Sequence, residues 1–153
     1  MKYYKMDTDG NFIEKESVAY KETLRETISD DITLTPLDSG KVFVVDTDEK
    51  EITLPATFKG EYTFINGGAD GAVNLLITPN EDDAIFGSIS ASAGANADAT
   101  TADGLISKAS GADGASWQNT KATANKGDYC KLVGNGTTGW DIVAGIGIWT
   151  NPA

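Results

Sequence analysis

The chain contains no histidine, and its 153 residues include a single cysteine, Cys130. A zinc site built from histidine and cysteine lacks its ligands, an intrachain disulfide lacks its second half, and a Cys/His nucleophile lacks its base. The G-x-S-x-G elbow and the P-loop are missing as well. These absences exclude zinc hydrolases and zinc fingers, and they predict that Cys130 is a small buried hydrophobe on a strand.

Basic residues and long hydrophobic runs are also scarce. The chain has 12 lysines and arginines against 23 acidic residues, a formal net charge of -11, so we expect no nucleic-acid partner. The longest hydrophobic window, residues 142–149, is far shorter than a spanning helix needs, and the N-terminus lacks the apolar segment of a signal peptide. We therefore expect a protein that is neither membrane-embedded nor secreted by a visible signal, and its length predicts one domain.

The apolar residues that are present alternate with polar ones between residues 32 and 77. This period of two puts apolar groups on one face of each segment, as in half-buried strands. The pairs and triplets are Ile32/Leu34, Ile52/Leu54, Tyr62/Phe64 and Val73/Leu75/Ile77. Glycine- and aspartate-rich turns separate them, so we predict an all-β fold, a meander forming an antiparallel β-sandwich or a jelly-roll-like body.

Two regions are less regular. Residues 17–28 fit both a helical stripe and one face of a strand, and we favour the strand. Residues 86–124 are rich in alanine, serine and glycine, which predicts a long loop excursion with a weak hairpin around residues 101–104. The predicted organisation is thus an N-terminal arm or hairpin, residues 1–16, followed by a single β domain, residues 17–153.

The glycine turn of residues 134–139 satisfies G-x-G-x-x-G after a strand, which is the spacing of a dinucleotide-binding loop. The residues that follow, Trp140-Asp141-Ile142-Val143, have a strand pattern instead of a helical one. No acidic partner for a ribose follows at the required distance. The motif therefore predicts a hairpin loop, and we expect no cofactor.

Two acidic segments are candidate calcium sites. Residues 5–16 align to a calcium-binding loop with Asp7 and Asp9 in ligand places, but Lys5 stands where the first aspartate is needed. A β-turn at Asp9-Gly10 in an N-terminal hairpin is the alternative. The run Glu81-Asp82-Asp83, to which the fold could add Asp30 and Asp31, is either a cation site or a solvated loop, and our prediction for both segments is no metal.

Three segments resemble structural proteins of tailed bacteriophages. They are Ile-Thr-Leu-Pro at 52–55, Gly-Glu-Tyr-Thr-Phe-Ile-Asn at 60–66, and 127–140, which begins Gly-Asp-Tyr-Cys-Lys-Leu-Val and ends Gly-Thr-Thr-Gly-Trp. The corresponding phage pattern is a "TLP" strand, a "G-x-x-F-x-F-I-N" strand, and a final "GD-x-x-x-L-V-x-D-G-T-x-W". This chain departs from it with Asn135 where an aspartate is usual and with the long alanine- and serine-rich insertion.

The resemblance implies a non-enzymatic virion protein, and among such proteins a capsid decoration (cement) protein that stabilises the head from outside as a homotrimer. An acidic exterior and a body without catalytic equipment suit the outside of a DNA-filled particle. The expected partner is the major capsid protein, and symmetry mates would cover the edge strands of the body. Tyr3, Tyr4, Phe12 and Ile13 are the predicted apolar contacts of the arm.

Two alternatives remain at this point. A tail-fibre or receptor-binding module would bind glycans through exposed aromatic residues, for which Trp117, Trp140 and Trp149 are candidates, although such tryptophans are more often core residues. An enzyme acting through paired carboxylates would leave no spacing signature in the sequence.

Overall fold

The computed structural model describes residues 2–6, 9–10, 12–16, 24–91 and 105–152. The described residues form an all-β structure, as predicted, with a short 3₁₀ helix at Pro36–Asp38. Within these ranges, no helix has the length and apolarity that a membrane crossing requires. The strands are β1 Lys2–Met6, β2 Phe12–Glu16, β3 Arg25–Ile28, β4 Ile32–Thr33, β5 Val42–Val45, β6 Lys50–Thr53, β7 Glu61–Asn66, β8 Leu75–Thr78, β9 Ala84–Phe86, β10 Ser88–Ala91, β11 Leu105–Lys108, β12 Trp117–Asn119, β13 Tyr129–Gly134, β14 Gly139–Ile146 and β15 Trp149–Thr150.

Two sheets form a β-sandwich-like body. The six-stranded sheet has the order β3-β5-β7-β13-β14-β9, and the five-stranded sheet has the order β15-β12-β8-β6-β4. From β3 to β8 the chain alternates between the sheets, so that β3, β5 and β7 pair in parallel in one sheet and β4, β6 and β8 pair in parallel in the other. One passage of the chain through both sheets is here called a winding. Paired residues such as Ile32 and Ile52 are separated in the sequence by one winding.

The predicted antiparallel meander is therefore wrong in its pairing, although its strands are present. Alternation identifies which face of a strand is buried but not which strand lies beside it. The turn after β5, which contains Asp48 and Glu49, carries the chain from one sheet to the other and is not a hairpin reversal. The result is a mixed sandwich instead of an antiparallel one.

The core lies between the two sheets and is filled by the residues that the alternation identified. Leu34, Ile52, Leu54, Tyr62 and Phe64 are at most 1% exposed. Phe43 stacks on Phe64 at a centroid distance of 5.8 Å. The burial of such side chains is the main source of stability of the body.

The C-terminal strands interrupt the winding. The β13–β14 hairpin is inserted between β7 and β9, with β13 antiparallel to β7 and β9 parallel to β14. The hairpin was predicted from the glycine turn at 134–139, and the structure confirms it.

Residues 86–124 are not a loop throughout, which corrects the prediction. β10 pairs with β11, and β12 lies inside the five-stranded sheet between β8 and β15. The alanine- and serine-rich composition concealed these strands because only a few large residues, such as Ile89 and Trp117, fix them in the core. The predicted turn at 101–104 lies outside the described residues.

The N-terminal strands β1 and β2 form a two-stranded antiparallel hairpin with Lys2 opposite Glu16 and Met6 opposite Phe12. Arg25–Ile28 is a strand, in agreement with the interpretation that we favoured for the end of the ambiguous segment, and residues 17–23 of that segment lie outside the described residues. The division into an arm of residues 1–16 and a domain of residues 17–153 stays a prediction.

Candidate interaction surface

Backbone amides of the glycine turn, residues 134–139, donate hydrogen bonds to the side chain of Asn135 within the same turn. Asn135 Oδ1 accepts hydrogen bonds from the backbone N–H groups of Thr137, Thr138 and Gly139 at 2.9, 2.9 and 3.2 Å. Backbone amides that converge in this way form an anion site when they are free. Here the side chain of Asn135 occupies them, and strand β14 follows, so the loop is a closed hairpin turn.

The acidic run at residues 81–83 divides into two exposed residues and one buried one. Glu81 and Asp82 are exposed, whereas Asp83 is 5% exposed. Asp83 Oδ2 accepts the backbone N–H of Thr57 at 2.7 Å, and the Thr57 hydroxyl donates to the carbonyl oxygen of Gly139 at 2.7 Å. This carboxylate therefore links the β6–β7 connection to the β8–β9 connection, and the Thr57 hydroxyl links the β6–β7 connection to the start of β14.

The other predicted metal ligands are not gathered into a site in the part of the chain that the structure describes. No group of three or more cysteine, aspartate and glutamate side chains there could hold a metal ion. Asp31 Oδ1 accepts the backbone N–H of Glu51 at 3.0 Å. Gly10, with φ of 84°, lies in the connection between β1 and β2, while Asp7 lies outside the described residues.

Cys130 is fully buried in the core, as predicted. Burial raises the pKa of its thiol far above the ordinary value because the thiolate would lose its hydration. The residue packs as a small hydrophobe, and its nucleophilic form is suppressed.

All three tryptophans are core residues. Trp117 and Trp140 are 0% exposed and Trp149 is 2% exposed, and Trp117 stacks on Trp149 at 6.0 Å between centroids. Sugar stacking needs an accessible ring face. The proposal that these tryptophans bind glycans is therefore wrong.

A buried polar cluster, Asn66, Asn119 and Asp128, closes one end of the β7–β13 strand pair. Asn66 Nδ2 donates to Asn119 Oδ1 at 2.7 Å, and Asn119 Nδ2 donates to Asp128 Oδ2 at 3.0 Å. Each of the three residues is at most 5% exposed. Backbone groups complete the cluster: the N–H groups of Gly68 and Asn125 donate into it, and the carbonyl groups of Val73 and Ile148 accept from it.

The residues that carry the phage resemblance thus support the architecture. Asn66 ends the 60–66 segment and Asp128 begins the 127–140 segment, and the two are joined through Asn119. Sequence reasoning missed Asn119, whose only signal was a polar residue two places after Trp117. Asn135, the departure from the pattern, uses one side-chain oxygen in a way that an aspartate could also satisfy.

The outer face of the six-stranded sheet carries a continuous apolar row. Tyr129 is paired directly with Ile65 on β7 and with Ile146 on β14. A β-bulge beside Lys131 and Leu132 interrupts the register of β14. Val143, in the bulged segment, is 54% exposed, and Ile146 is 40% exposed. Ile65 and Tyr129 are half-buried, so this row is a candidate surface for association.

The outer face of the five-stranded sheet is different. Thr33, Thr53 and Thr78 are paired with one another across three parallel strands. Thr78 also shares a hydrogen bond with Ser116 at 2.9 Å. Hydroxyl groups are readily hydrated, so this face suits contact with water.

The predicted arm contacts lie on the N-terminal hairpin. Tyr3 and Tyr4 belong to β1, and Phe12 and Ile13 belong to β2. In the register, Tyr3 is opposite Lys15 and Ile13 is opposite Lys5. The hairpin brings the four residues into one two-stranded ribbon, and their contact with a partner stays a prediction.

No protein-family model matches this chain, and no curated protein matches it significantly.

Proposed function

We propose that this protein is a non-enzymatic structural component of a tailed-phage virion, a decoration protein that binds the outside of the capsid and stabilises it. The observation that carries the proposal is the use of Asn66, Asp128 and Asn135: in the segments that resemble phage proteins, these polar side chains are consumed in holding the sandwich together. The resembling segments therefore use these side chains to build the fold. We infer that a protein built in this way acts by binding partners through its surfaces.

The proposed self-association surface is the apolar row of Ile65, Tyr129 and Ile146. Tyrosine and isoleucine side chains in a row across three strands provide apolar surface that is buried on association. Aromatic residues are also enriched in the cores of protein interfaces. Three copies around a threefold axis would each bury this row and present identical faces to the capsid. The threonine row would then remain on the outside.

A matched pair of variants tests the self-association surface. Ile146→Asp places a charge at the end of the apolar row, and Thr33→Asp places the same charge at the end of the threonine row. Light scattering should give a trimer for the wild type and for Thr33→Asp, and a smaller species for Ile146→Asp. A monomeric wild type, or equal masses for both variants, would contradict the surface.

Capsid binding is tested separately. Purified capsids that lack the protein are mixed with the full chain or with a chain lacking residues 1–16, and co-sedimentation is measured. We expect the full chain to bind and the shortened chain, still folded by circular dichroism, to lose binding. Equal binding of the two would refute the arm.

Electron microscopy of the source particle with the labelled protein separates the head from the tail. Label on the capsid surface supports decoration. Label on the fibres would replace it with the tail-fibre module, whose receptor would have to contact residues other than the buried tryptophans.

A further inference from the structure

We propose that Asn135 is a site of spontaneous deamidation in the folded protein, and that the β13–β14 turn promotes the reaction while the chain's other Asn-Gly sequence, Asn66-Gly67, is protected by burial. Asn-Gly is a reactive sequence because glycine has no Cβ to obstruct attack by its backbone nitrogen on the preceding side chain. The two sites share this chemistry and differ in their surroundings.

The reaction has two balanced steps. The backbone nitrogen of Gly136 forms a bond to Asn135 Cγ, the Cγ–Nδ2 bond breaks, and ammonia leaves with the proton that Gly136 gave up. Water then opens the resulting cyclic imide to a carboxylate. Water is the only co-reactant, and no electrons are exchanged with an oxidant or reductant.

The turn is arranged to stabilise the first step. As Gly136 nitrogen attacks, negative charge develops on Asn135 Oδ1, which already accepts the N–H groups of Thr137, Thr138 and Gly139 at 2.9–3.2 Å. Donors fixed around an oxygen that gains charge lower the barrier, as in an oxyanion hole. Hydrogen bonds of this kind strengthen as the charge on the accepting oxygen grows.

The attacking and leaving nitrogens are held only by long hydrogen bonds. The Gly136 N–H donates to Thr57 Oγ1 at 3.3 Å, and solvent takes the proton when this bond opens. Asn135 Nδ2, the nitrogen that leaves as ammonia, donates to Thr138 Oγ1 at 3.3 Å. Gly136, Thr137 and Thr138 are exposed, so water reaches the imide.

Asn66 has the opposite environment. It is 1% exposed, and its Nδ2 donates to Val73 oxygen and to Asn119 Oδ1 at 2.9 and 2.7 Å. The Gly67 N–H donates to Val45 oxygen at 2.8 Å. Attack by Gly67 would have to break this bond and both bonds of the leaving amide in a site without water. At on the order of tenfold for each of these three lost hydrogen bonds, we expect conversion about a thousandfold slower than at Asn135.

The test follows both sites in one sample. The folded protein is incubated at neutral and mildly alkaline pH in heavy-oxygen water, and peptide mass spectrometry measures label incorporation at each asparagine over time. A parallel sample in urea provides the unfolded reference. We expect label at Asn135 and not at Asn66 in the folded protein, and comparable label at both sites in urea.

Two further results decide the proposal. The Asn135→Gln variant, which would have to form a larger ring, should not develop the acidic charge variant that the wild type accumulates, and Asn135→Asp should co-migrate with that variant. Equal rates at the two asparagines in the folded protein would overturn the inference. So would conversion of Asn135 that is tenfold faster in urea than in the folded protein, because the turn would then be protective.

Discussion

Asparagine and aspartate side chains form hydrogen bonds at both ends of the β7–β13 strand pair. The end at Asn66 is shielded from solvent and is called the closed end. The end at Asn135 carries an exposed turn and is called the open end. At the closed end, Asn66, Asn119 and Asp128 bond to one another and to backbone groups away from water. At the open end, Asn135 accepts hydrogen bonds from backbone amides of a turn with exposed residues, and the buried Asp83 accepts the amide of the half-buried Thr57.

Hydrogen bonds of the same kind therefore contribute differently to the free energy of unfolding at the two ends. A polar group that loses its partner in a dry site bears the full desolvation penalty, whereas an exposed group exchanges its partner for water. We therefore expect the closed end to contribute most to the stability of the body, the buried Asp83 to contribute less, and the exposed turn around Asn135 to tolerate change. Substitutions at Asn119, Asp83, Asn135 and Asp48 test this comparison.

Asn119→Ala should be the most damaging. It removes the acceptor of Asn66 and a donor to Asp128 while both stay buried, so the free energy of unfolding should fall by about 2–4 kcal/mol. Urea unfolding measures the change. Gln118→Ala, the neighbouring residue on β12 whose side chain is half-buried, is the control and should change stability by less than about 0.5 kcal/mol. A small effect at Asn119 would remove the distinction between the ends.

Asp83→Ala should have the largest effect at the open end. It leaves the Thr57 amide without the carboxylate that accepts it at 2.7 Å, and a hydrogen bond to a charged group contributes about 1.5–3 kcal/mol. Thermal and urea unfolding both report the loss. Asp82→Ala in the same turn is the matched control because Asp82 is exposed. If both variants lose equal stability, the hydrogen bond from the Thr57 amide to Asp83 does not stabilise the fold as we expect.

Asn135→Ala should cost less, about 1 kcal/mol, because two of the three amides that it frees, those of Thr137 and Thr138, belong to exposed residues and can bond to water. Asn135→Asp should stay within about 0.5 kcal/mol of the wild type, since a carboxylate can accept the same amides. Urea unfolding of the pair distinguishes loss of the acceptor from a change of charge. A loss at Asn135→Ala as large as that at Asn119→Ala would show that the turn is not an open site.

Asp48, at the exposed rim near the closed end, should give the smallest effect, and it depends on pH. The Asn74 N–H donates to its Oδ1 at 2.8 Å and Lys121 Nζ lies 2.6 Å from its Oδ2, and these contacts lower the pKa of the carboxyl below the ordinary value. Its contribution to stability is therefore present above its unfolded pKa and is lost as the pH falls through the lower folded pKa.

The Asp48→Asn variant checks this. Its unfolding free energy should fall less steeply with acid than that of the wild type, and the two should differ by a constant amount above the unfolded pKa. Parallel acid dependences would mean that the contacts of Asp48 add nothing measurable.

The strands could be predicted where large apolar residues alternate with polar ones and point into the core. Ile52, Leu54, Tyr62 and Phe64 were assigned to buried faces and are buried. Where large residues are sparse, the signal failed: β10 and β11 lie in an alanine- and serine-rich stretch that composition alone marks as loop. Small side chains carry too little hydrophobic contrast to display a period.

The candidate site was predictable only in part. The glycine spacing at 134–139 indicated a hairpin turn, but the three amides on Asn135 Oδ1 depend on backbone directions that spacing does not specify. The tryptophans looked available for sugars because a sequence does not distinguish a core ring from a surface ring. Asn119 gave almost no signal, since its importance comes from Asn66 and Asp128, each far away in the chain and adjacent only after folding.

Local alternation and turn chemistry were enough to predict the all-β class, the buried faces of the central strands, the core position of Cys130 and the hairpin turn before Trp140. Only packing establishes which strands are neighbours, that Ile65, Tyr129 and Ile146 form one row, and that Asn66, Asn119 and Asp128 share one buried cluster. Those relations join residues from separate windings of the chain, and a local pattern contains no information about which windings come to lie side by side.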